Sequence, residues 1–423
     1  MEWKGSRMRV SVLTAGSRGD VEPFLALGGR LRAVGHGVRL VTHREFELAV
    51  RAAGLDFAEL PGDPKATLAG PEGQALLAAR SPVTLVRRLR EVVGPELRGS
   101  LTAAIEACRD ADLVVHSTLV AFGPTVAEHL GVPVVAAHLS PNTPTGAFPM
   151  TALPKPVPAV LNRATWRFSE ALLWRAFRPL LNDQRADLGL PPLPRRTPPP
   201  RDRAPRLYGF SPSVVPPPRD WTPTDHVTGY WSRDADTALP PALTDFLDAG
   251  EPPVYLGFGS MPDPDPSAAT ELLLTAARRV GRRAVLLSGW SGLRLSDTSD
   301  DVLVVDDVPH RALFPRCAAA VHHGGAGTTA AAVLAGIPSV VVPFFADQFF
   351  WGRRVTELEV GATTPARDRV TADALADALR AALSRARPAR ALGDRVAAED
   401  GPGAAVTVLE RLIQPAPSDI PKR

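Results

Sequence analysis

VHHGGAGTTAAAVLAGIPSVVVPFFADQFFWG, residues 321–352, holds two strand-to-helix turns in succession. An apolar run ends at His322-His323, and the glycine-rich turn Gly324–Gly327 opens a helix through Thr328 and Thr329. A second apolar run, PSVVVPF, follows, and Asp347-Gln348 start a further helix. Two strands joined through a helix run parallel in one sheet, with a right-handed crossover. Glycines let the backbone approach a ligand closely, and the first N–H groups of a helix have no partner within it. With the positive end of the helix dipole, they form an anion site suited to phosphate. Thr328 and Thr329 can add hydroxyl donors, and a histidine beside the turn can donate or carry charge.

Other phosphate and metal chemistries fit this turn poorly. No lysine follows the glycines, so it is not a Walker loop, and GxGxxG with a later acidic ribose ligand is absent. His322 and His323 point to opposite faces of a strand, and no carboxylate stands at metalloprotease spacing, so no metal is expected. Asp347 reads either as a helix N-cap or, with Gln348, as a carboxylate–carboxamide pair that binds several hydroxyls. One helix start suited to phosphate and another suited to a polyol describe a nucleotide-sugar site.

The same alternation continues outward. PPVYLGFGS, RAVLLSGW and VLVVDDVP are strands before this stretch, with helical patterns at 267–280, 327–336 and 346–359. TADALADALRAAL and GAAVTVLERLI are amphipathic helices after it. In the N-terminal half, MRVSVLTAG and VRLVTH are strands flanking a helix marked by Phe24, Leu27, Leu31 and Val34 and ended by GHG. ADLVVHST, FGPTVAEHLG and VPVVAAHLS repeat the pattern. The fold class is therefore α/β, with two doubly wound, Rossmann-like domains. Between them, a helix carries Trp166, Leu173, Trp174, Phe177 and Leu181 on one stripe, either core packing or the wall of an apolar pocket. PPLPRRTPPPRDRAPR and SPSVVPPPRDW form a stiff connection. The expected division is a first domain at 1–218, a second at 219–402, and a C-terminal helix and tail at 403–423 packing back on the first, which the family resemblance set out below makes the acceptor-binding and donor-binding domains in that order.

Composition excludes several classes. The 423 residues carry a net charge of +3, which implies no nucleic-acid partner. Two distant cysteines, Cys108 and Cys317, suggest a reduced, cytoplasmic protein without a disulfide framework. The opening MEWKGSRMRV lacks the apolar core of a signal peptide. The longest uncharged stretch, Cys317 to Ala346, includes two histidines, four glycines and two prolines and is no membrane span. The basic stretch LVRRLREVVGPELRG, 85–99, is a solvated helix or a peripheral membrane contact. Arg18-Gly19-Asp20 thus has no context for cell adhesion.

The phosphate turn, GIPSVVVPFFADQ and the GFGS at 257–260 resemble the donor-site signature of inverting nucleotide-diphosphate-sugar glycosyltransferases of the GT-B fold, within the UDP-glucosyltransferase superfamily. SRGDVEPFLALGGRL resembles the N-terminal signature of the branch containing sterol glucosyltransferases and transferases of antibiotic and other natural-product aglycones. The resemblance spans Met8 to about Ile413. It implies that the domains face each other across a cleft. On the donor side, His322, the backbone around Gly325, Ala326 and Gly327, Thr328 and Ser260 would meet the diphosphate. Val308 would meet the base through its backbone, and Asp347 and Gln348 the sugar hydroxyls. His323 either assists or packs inside the sheet. Gly16, Ser17, Phe148 and Trp166 would line the acceptor side.

Asp20 stands where many relatives in the wider superfamily carry a catalytic histidine, so the resemblance makes it the general base; it can also cap a helix beginning at Val21. The implied reaction is a direct, inverting, metal-independent displacement, with the nucleotide sugar as co-substrate and no cofactor. Many members carry a glutamate for the ribose eight residues after the His322 position; here it is Ala330, which leaves uridine and thymidine diphosphates both open. The DxD pairs Asp234/Asp236 and Asp263/Asp265 read as solvated loop charge. The acceptor is a lipophilic hydroxylated small molecule such as a polyketide, macrolide or sterol. A nucleotide-sugar epimerase or hydrolase on the same scaffold, or a non-catalytic nucleotide-sugar-binding protein, are the competing readings; the last would have no use for Asp20.

Overall fold

The computed structural model describes residues 7–79, 81–195, 204–233, 238–293 and 300–413. The stiff connection expected around 191–206 lies partly outside these residues, as do Asp234, Asp236 and the tail beyond 413.

The first sheet contains β1 (Arg9–Leu13), β2 (Gly37–Thr42), β3 (Asp56–Glu59), β4 (Leu113–Ser117), β5 (Val134–His138), β6 (Arg206–Tyr208) and β7 (Asp225–Val227). Its spatial order is β3-β2-β1-β4-β5-β6-β7. The second contains β8 (Val254–Leu256), β9 (Ala284–Leu287), β10 (Val302–Val305), β11 (Ala319–His322), β12 (Ser339–Val341) and β13 (Gly361–Thr363), ordered β10-β9-β8-β11-β12-β13. Every pairing is parallel. Parallel sheets are covered on both faces, so their strands read as continuous apolar runs. β4, LVVHS, is buried throughout, as is β8, VYL.

Each sheet has its own pair of cores. Val10, Val12, Phe24, Leu27 and Leu40 pack on one face of the first, and Leu13, Val41, Leu101 and Val114 on the other. Leu256, Leu273, Leu286 and Val340 cover one face of the second, and Tyr255, Val285, Leu313 and Ala320 the other. A further apolar cluster joins Tyr208, Phe210 and Val215 of the first half to Phe350, Trp351 and Leu392 of the second.

The expected boundary at 218 falls inside the first sheet. β7 lies beyond it and pairs with β6, with the buried Arg206–Asp225 ion pair tying the two. The C-terminal helix Gly401–Ile413 inserts Ala405, Val406 and Leu409 into the first core. The two chain crossings touch: a Cβ on Gly401 would lie 2.3 Å from the Tyr230 carbonyl oxygen, so only glycine fits there.

Candidate active site

Both sheets reverse strand order beside their first strand: β1 lies between β2 and β4, and β8 between β9 and β11. Ligands of such sheets bind outside the carboxyl ends of the strands at this reversal. The turns found there hold Gly16 and Ser17 after β1, Leu119 after β4, Ser260 after β8, and His323 to Gly325 after β11.

The helix Arg18–Ala33 starts three residues earlier than the expected Val21, and Ser17 occupies its N-cap position. Asp20 is thus the third helical residue rather than the cap. Its Oδ2 folds back to accept from the Ser17 amide at 2.8 Å and the Ser17 hydroxyl at 2.9 Å. This return requires glycine at 16, where φ is +112° and a Cβ would sit 2.6 Å from that same oxygen. Burial raises the Asp20 carboxyl to about 6, against the lowering effect of the Ser17 bonds, and the Asp347 carboxylate adds to the rise. Such a value suits a base working near neutrality.

Across the cleft, the helix Ala326–Leu334 begins at Gly325 with no side chain capping it. Its first N–H groups therefore remain open to an anion. His322 ends β11, fully buried. Its Nδ1 accepts from the Gly324 amide at 3.1 Å, which leaves the proton on Nε2, a buried donor without a protein partner. Burial, with His323 and His310 nearby, holds the ring well below the usual histidine range. The site thus offers a neutral donor, not the charged imidazole that the sequence also allowed. Thr328 is half-buried, whereas the Thr329 hydroxyl is fully buried and donates to the Gly325 carbonyl at 2.9 Å. Thr329 serves the helix and offers no ligand donor.

His323 packs between two turns. A Cβ on Gly325 would lie 2.4 Å from its Nε2, and one on Gly259 would lie 3.1 Å from its Cε1. Burial, then His310, lowers its pKa to about 4. Ser260 is half-buried in the neighbouring turn. Val308 is 3% exposed, its side chain packed with Tyr255 and Phe314, so only its backbone can meet a ligand.

Asp347 occupies the N-cap position of the helix Gln348–Glu357, yet its side chain makes no capping bond. Its Oδ2 accepts from Trp351 Nε1 at 3.0 Å, and the nearby Ser140 hydroxyl of the first half also favours the ionised carboxylate. Burial raises its pKa despite these bonds. The preceding Ala346 has φ +54°, a strained conformation of the kind concentrated at binding sites. Gln348 is buried, and its Oε1 accepts from the Phe344 and Phe345 amides at 2.8 and 3.2 Å. Only its amide donors remain for a ligand, one of them lying 3.4 Å from Met261 Sδ.

The two sides meet. A Cβ on Gly327 would lie 3.3 Å from both Cα and O of Gly19, so the helix bearing Asp20 starts against the glycine-rich turn. Phe148 reaches across to Phe350, with ring centroids 5.1 Å apart. Trp166 does not line the cleft: it is 4% exposed, and its indole N–H donates to the Phe148 carbonyl at 3.0 Å, bracing that loop. Leu119, 55% exposed, stands within reach of Gly16 and was missed by sequence reasoning, as was Ser140. Both follow strand ends at the first sheet's carboxyl edge, which is the signal that could have found them.

In the second DxD pair Asp265 is exposed, but Asp263 is not solvated charge. Asp263 is buried and bidentate with Arg367, and Asp265 caps the helix Pro266–Val280 through the Ala268 amide. The first pair lies outside the described residues. Among the described residues, no three His, Cys, Asp or Glu side chains group to hold a metal, and no helix is long and apolar enough to cross a membrane.

Residues 10–149 match the glycosyltransferase family 28 N-terminal domain, and residues 272–414 match the erythromycin biosynthesis protein CIII-like C-terminal domain. The chain is similar to a sterol 3-beta-glucosyltransferase of Arabidopsis thaliana, 38% identical over 88% of this chain and 60% of that protein. It is also similar to the O-mycaminosyltylonolide 6-deoxyallosyltransferase of Streptomyces fradiae, 40% identical over 95% of this chain and 97% of that protein. The chain thus spans about three fifths of the plant relative's length, and 30% of a sterol 3-beta-glucosyltransferase of Emericella nidulans. Its fold is that of the glycosyltransferase SnogD from Streptomyces nogalater, with TM-score 0.65, 24% identity and coverage of 96% and 100% of the two chains. The spinosyn rhamnosyltransferase SpnG complexed with spinosyn aglycone gives TM-score 0.68 at 20% identity, over 95% and 100%.

Proposed function

This chain belongs to the GT-B glycosyltransferases that include sterol glucosyltransferases and antibiotic glycosyltransferases, and we propose that it transfers a sugar, with inversion and without a metal, from a nucleotide diphosphate to a hydroxyl of a lipophilic small molecule. A single observation carries the reading: a carboxyl raised to about 6 sits on a helix whose start abuts the phosphate turn of the opposite sheet.

The acceptor hydroxyl approaches from the side of Gly16, Ser17, Leu119 and Phe148. As its oxygen attacks the anomeric carbon, Asp20 takes its proton, and the bond from that carbon to the diphosphate breaks. The charge growing on the leaving diphosphate is met by the open N–H groups at Gly325, Ala326 and Gly327, by His322 Nε2–H, and by the hydroxyls of Ser260 and Thr328. His323 sets the spacing of the two phosphate-side turns. Val308 meets the base through its backbone, while Asp347 and the Gln348 amide hold the sugar hydroxyls. Ala330, packed among apolar side chains, offers the ribose no carboxylate, and both uridine and thymidine diphosphate sugars fit this reading. The acceptor is a polyketide, macrolide, sterol or similar aglycone; a sterol is named for several relatives and a spinosyn aglycone for a structural neighbour. The protein works in the cytoplasm, with membrane contact at most peripheral and no cofactor.

The test is turnover of a panel of uridine and thymidine diphosphate sugars, with and without sterol, macrolide and polyphenol acceptors, followed by mass spectrometry. Acceptor-dependent release of nucleotide, unchanged by a chelator and reduced about 10²- to 10⁴-fold in Asp20→Asn, is the expected result. Release without acceptor, indifferent to that substitution, leaves a hydrolase or epimerase instead.

A further inference from the structure

The cleft is bridged by a line of charges that no step of the proposed reaction uses. Arg18 is the first residue of the helix that carries Asp20, and its Nη1 lies 2.5 Å from Oδ1 of Asp307 in the loop after β10. Asp307 immediately precedes Val308. Behind it, Arg18 Nε pairs with Glu22 at 3.3 Å, and the other oxygen of Glu22 pairs with Arg233 at 2.8 Å, in the segment joining the two sheets. Asp307, Arg18, Glu22 and Arg233 thus alternate in sign from the donor loop to the crossover. Gly19, between Arg18 and Asp20, is the residue whose backbone meets Gly327.

We propose that Arg18 is a positioning residue whose ion pair with Asp307 seats the Asp20 turn on the donor half when the domains close. The proposal rests on the transferase reading for its kinetic consequence. The physical argument is one of leverage. Each sheet has its own cores, so an exposed pair between them adds little to either fold. What it acts on is their relative position, and the third residue of the same helical turn is the one that must reach the acceptor proton. The pair is 49% and 75% exposed on its two sides, so salt should weaken it.

The experiment compares wild type, Arg18→Ala, Asp307→Ala and the double variant in kcat, KM and affinity for uridine and thymidine diphosphate, at low and high salt. Each single variant should lose about three- to fivefold in kcat, the range of an exposed pair, with nucleotide affinity within about twofold of wild type. The double variant should be no worse than the poorer single one, and high salt should slow only wild type. Additive losses, or a loss confined to nucleotide affinity, would overturn the proposal. Small-angle scattering separates it from the transferase reading. Compaction on adding nucleotide, present in wild type and diminished in both single variants, supports the latch even if no acceptor is turned over. Equal compaction in all variants removes it.

Discussion

Ser17 holds one carboxylate oxygen of Asp20 from two directions, through its amide at 2.8 Å and its hydroxyl at 2.9 Å. The other oxygen, Oδ1, makes no hydrogen bond among the described residues, and in the proposed reaction it is the one that takes the proton. Both Ser17 bonds favour the ionised carboxyl, while burial and Asp347 oppose it and prevail.

A pH profile follows from that balance. A base must be ionised to act, so kcat/KM should rise through about pH 6 and level off above it. Ser17→Ala removes the hydroxyl bond and keeps the amide bond, so the acid limb should move to higher pH. The variant should be slow near pH 6 and close to wild type near pH 8. A profile flat across this range, in both proteins, would falsify the assignment of Asp20 as base.

The same shift has a stability consequence with a definite sign. Folding raises the Asp20 pKa from 3.8 to about 6, so between these values the folded chain holds more protons than the unfolded one. Stability contributed by this group is complete below pH 3.8 and declines as pH rises to about 6. Asp20→Asn removes the charge that burial disfavours. Its Tm relative to wild type should therefore be higher at pH 7.5 than at pH 4.5, the reverse of its effect on rate. Thermal unfolding at both pH values checks this; a Tm difference that does not change with pH would contradict the raised pKa.

His322 should act as a neutral hydrogen-bond donor. Its ring stays uncharged because burial and the neighbouring histidines hold its pKa far down, and its unpartnered Nε2–H is the donor left over. Nucleoside diphosphate affinity should therefore show no histidine step between about pH 5.5 and 8. His322→Ala should weaken it about 10- to 100-fold, the effect of losing one hydrogen bond to a charged group. Calorimetric titration with uridine and thymidine diphosphate at several pH values measures both. An affinity that rises as pH falls through about 6.5 would show that the ring binds as a cation.

Much of this architecture was legible because parallel strands are apolar throughout and the crossover helices are periodic. β4 and β11 announced themselves this way. β6 and β7 did not: each has three residues, and β7 opens with Asp225-His226, which no apolar pattern marks as sheet. At the site, the glycine-rich turn between a strand and a helix was legible from spacing alone. The orientation of side chains within it did not. Whether Gln348 presents its carbonyl or its amide depends on the Phe344 and Phe345 amides, and whether Trp166 lines or braces the cleft depends on a carbonyl 18 residues away. These are choices of the folded backbone and leave no mark in residue order.

The place of β7 leads to a last prediction. Asp225 is wholly buried as a side chain and accepts from Arg206 Nε at 2.6 Å, from Thr143 Oγ1 at 2.9 Å, and from the Thr222 amide and hydroxyl at 2.9 and 2.7 Å. Burial alone would raise its pKa, but Arg206 and Thr222 outweigh it and leave the carboxyl below its ordinary value. Removing it takes a carboxylate partner from the buried Arg206 and the acceptor from Thr143 and Thr222, and Asp225→Ala should cost about 3–5 kcal/mol. Although residue 225 lies beyond the sequence-derived boundary at 218, the loss should fall on the first domain, whose outermost strand it anchors. Scanning calorimetry with and without uridine diphosphate reads this directly, because nucleotide should raise the transition of the donor-binding half. The other transition should drop in the variant. Since the folded pKa is lowered, the stabilisation is present above the unfolded value near 3.8 and fades as pH falls below it, so the gap between the two proteins should narrow in acid. A variant in which only the nucleotide-responsive transition falls would place β7 with the second domain instead.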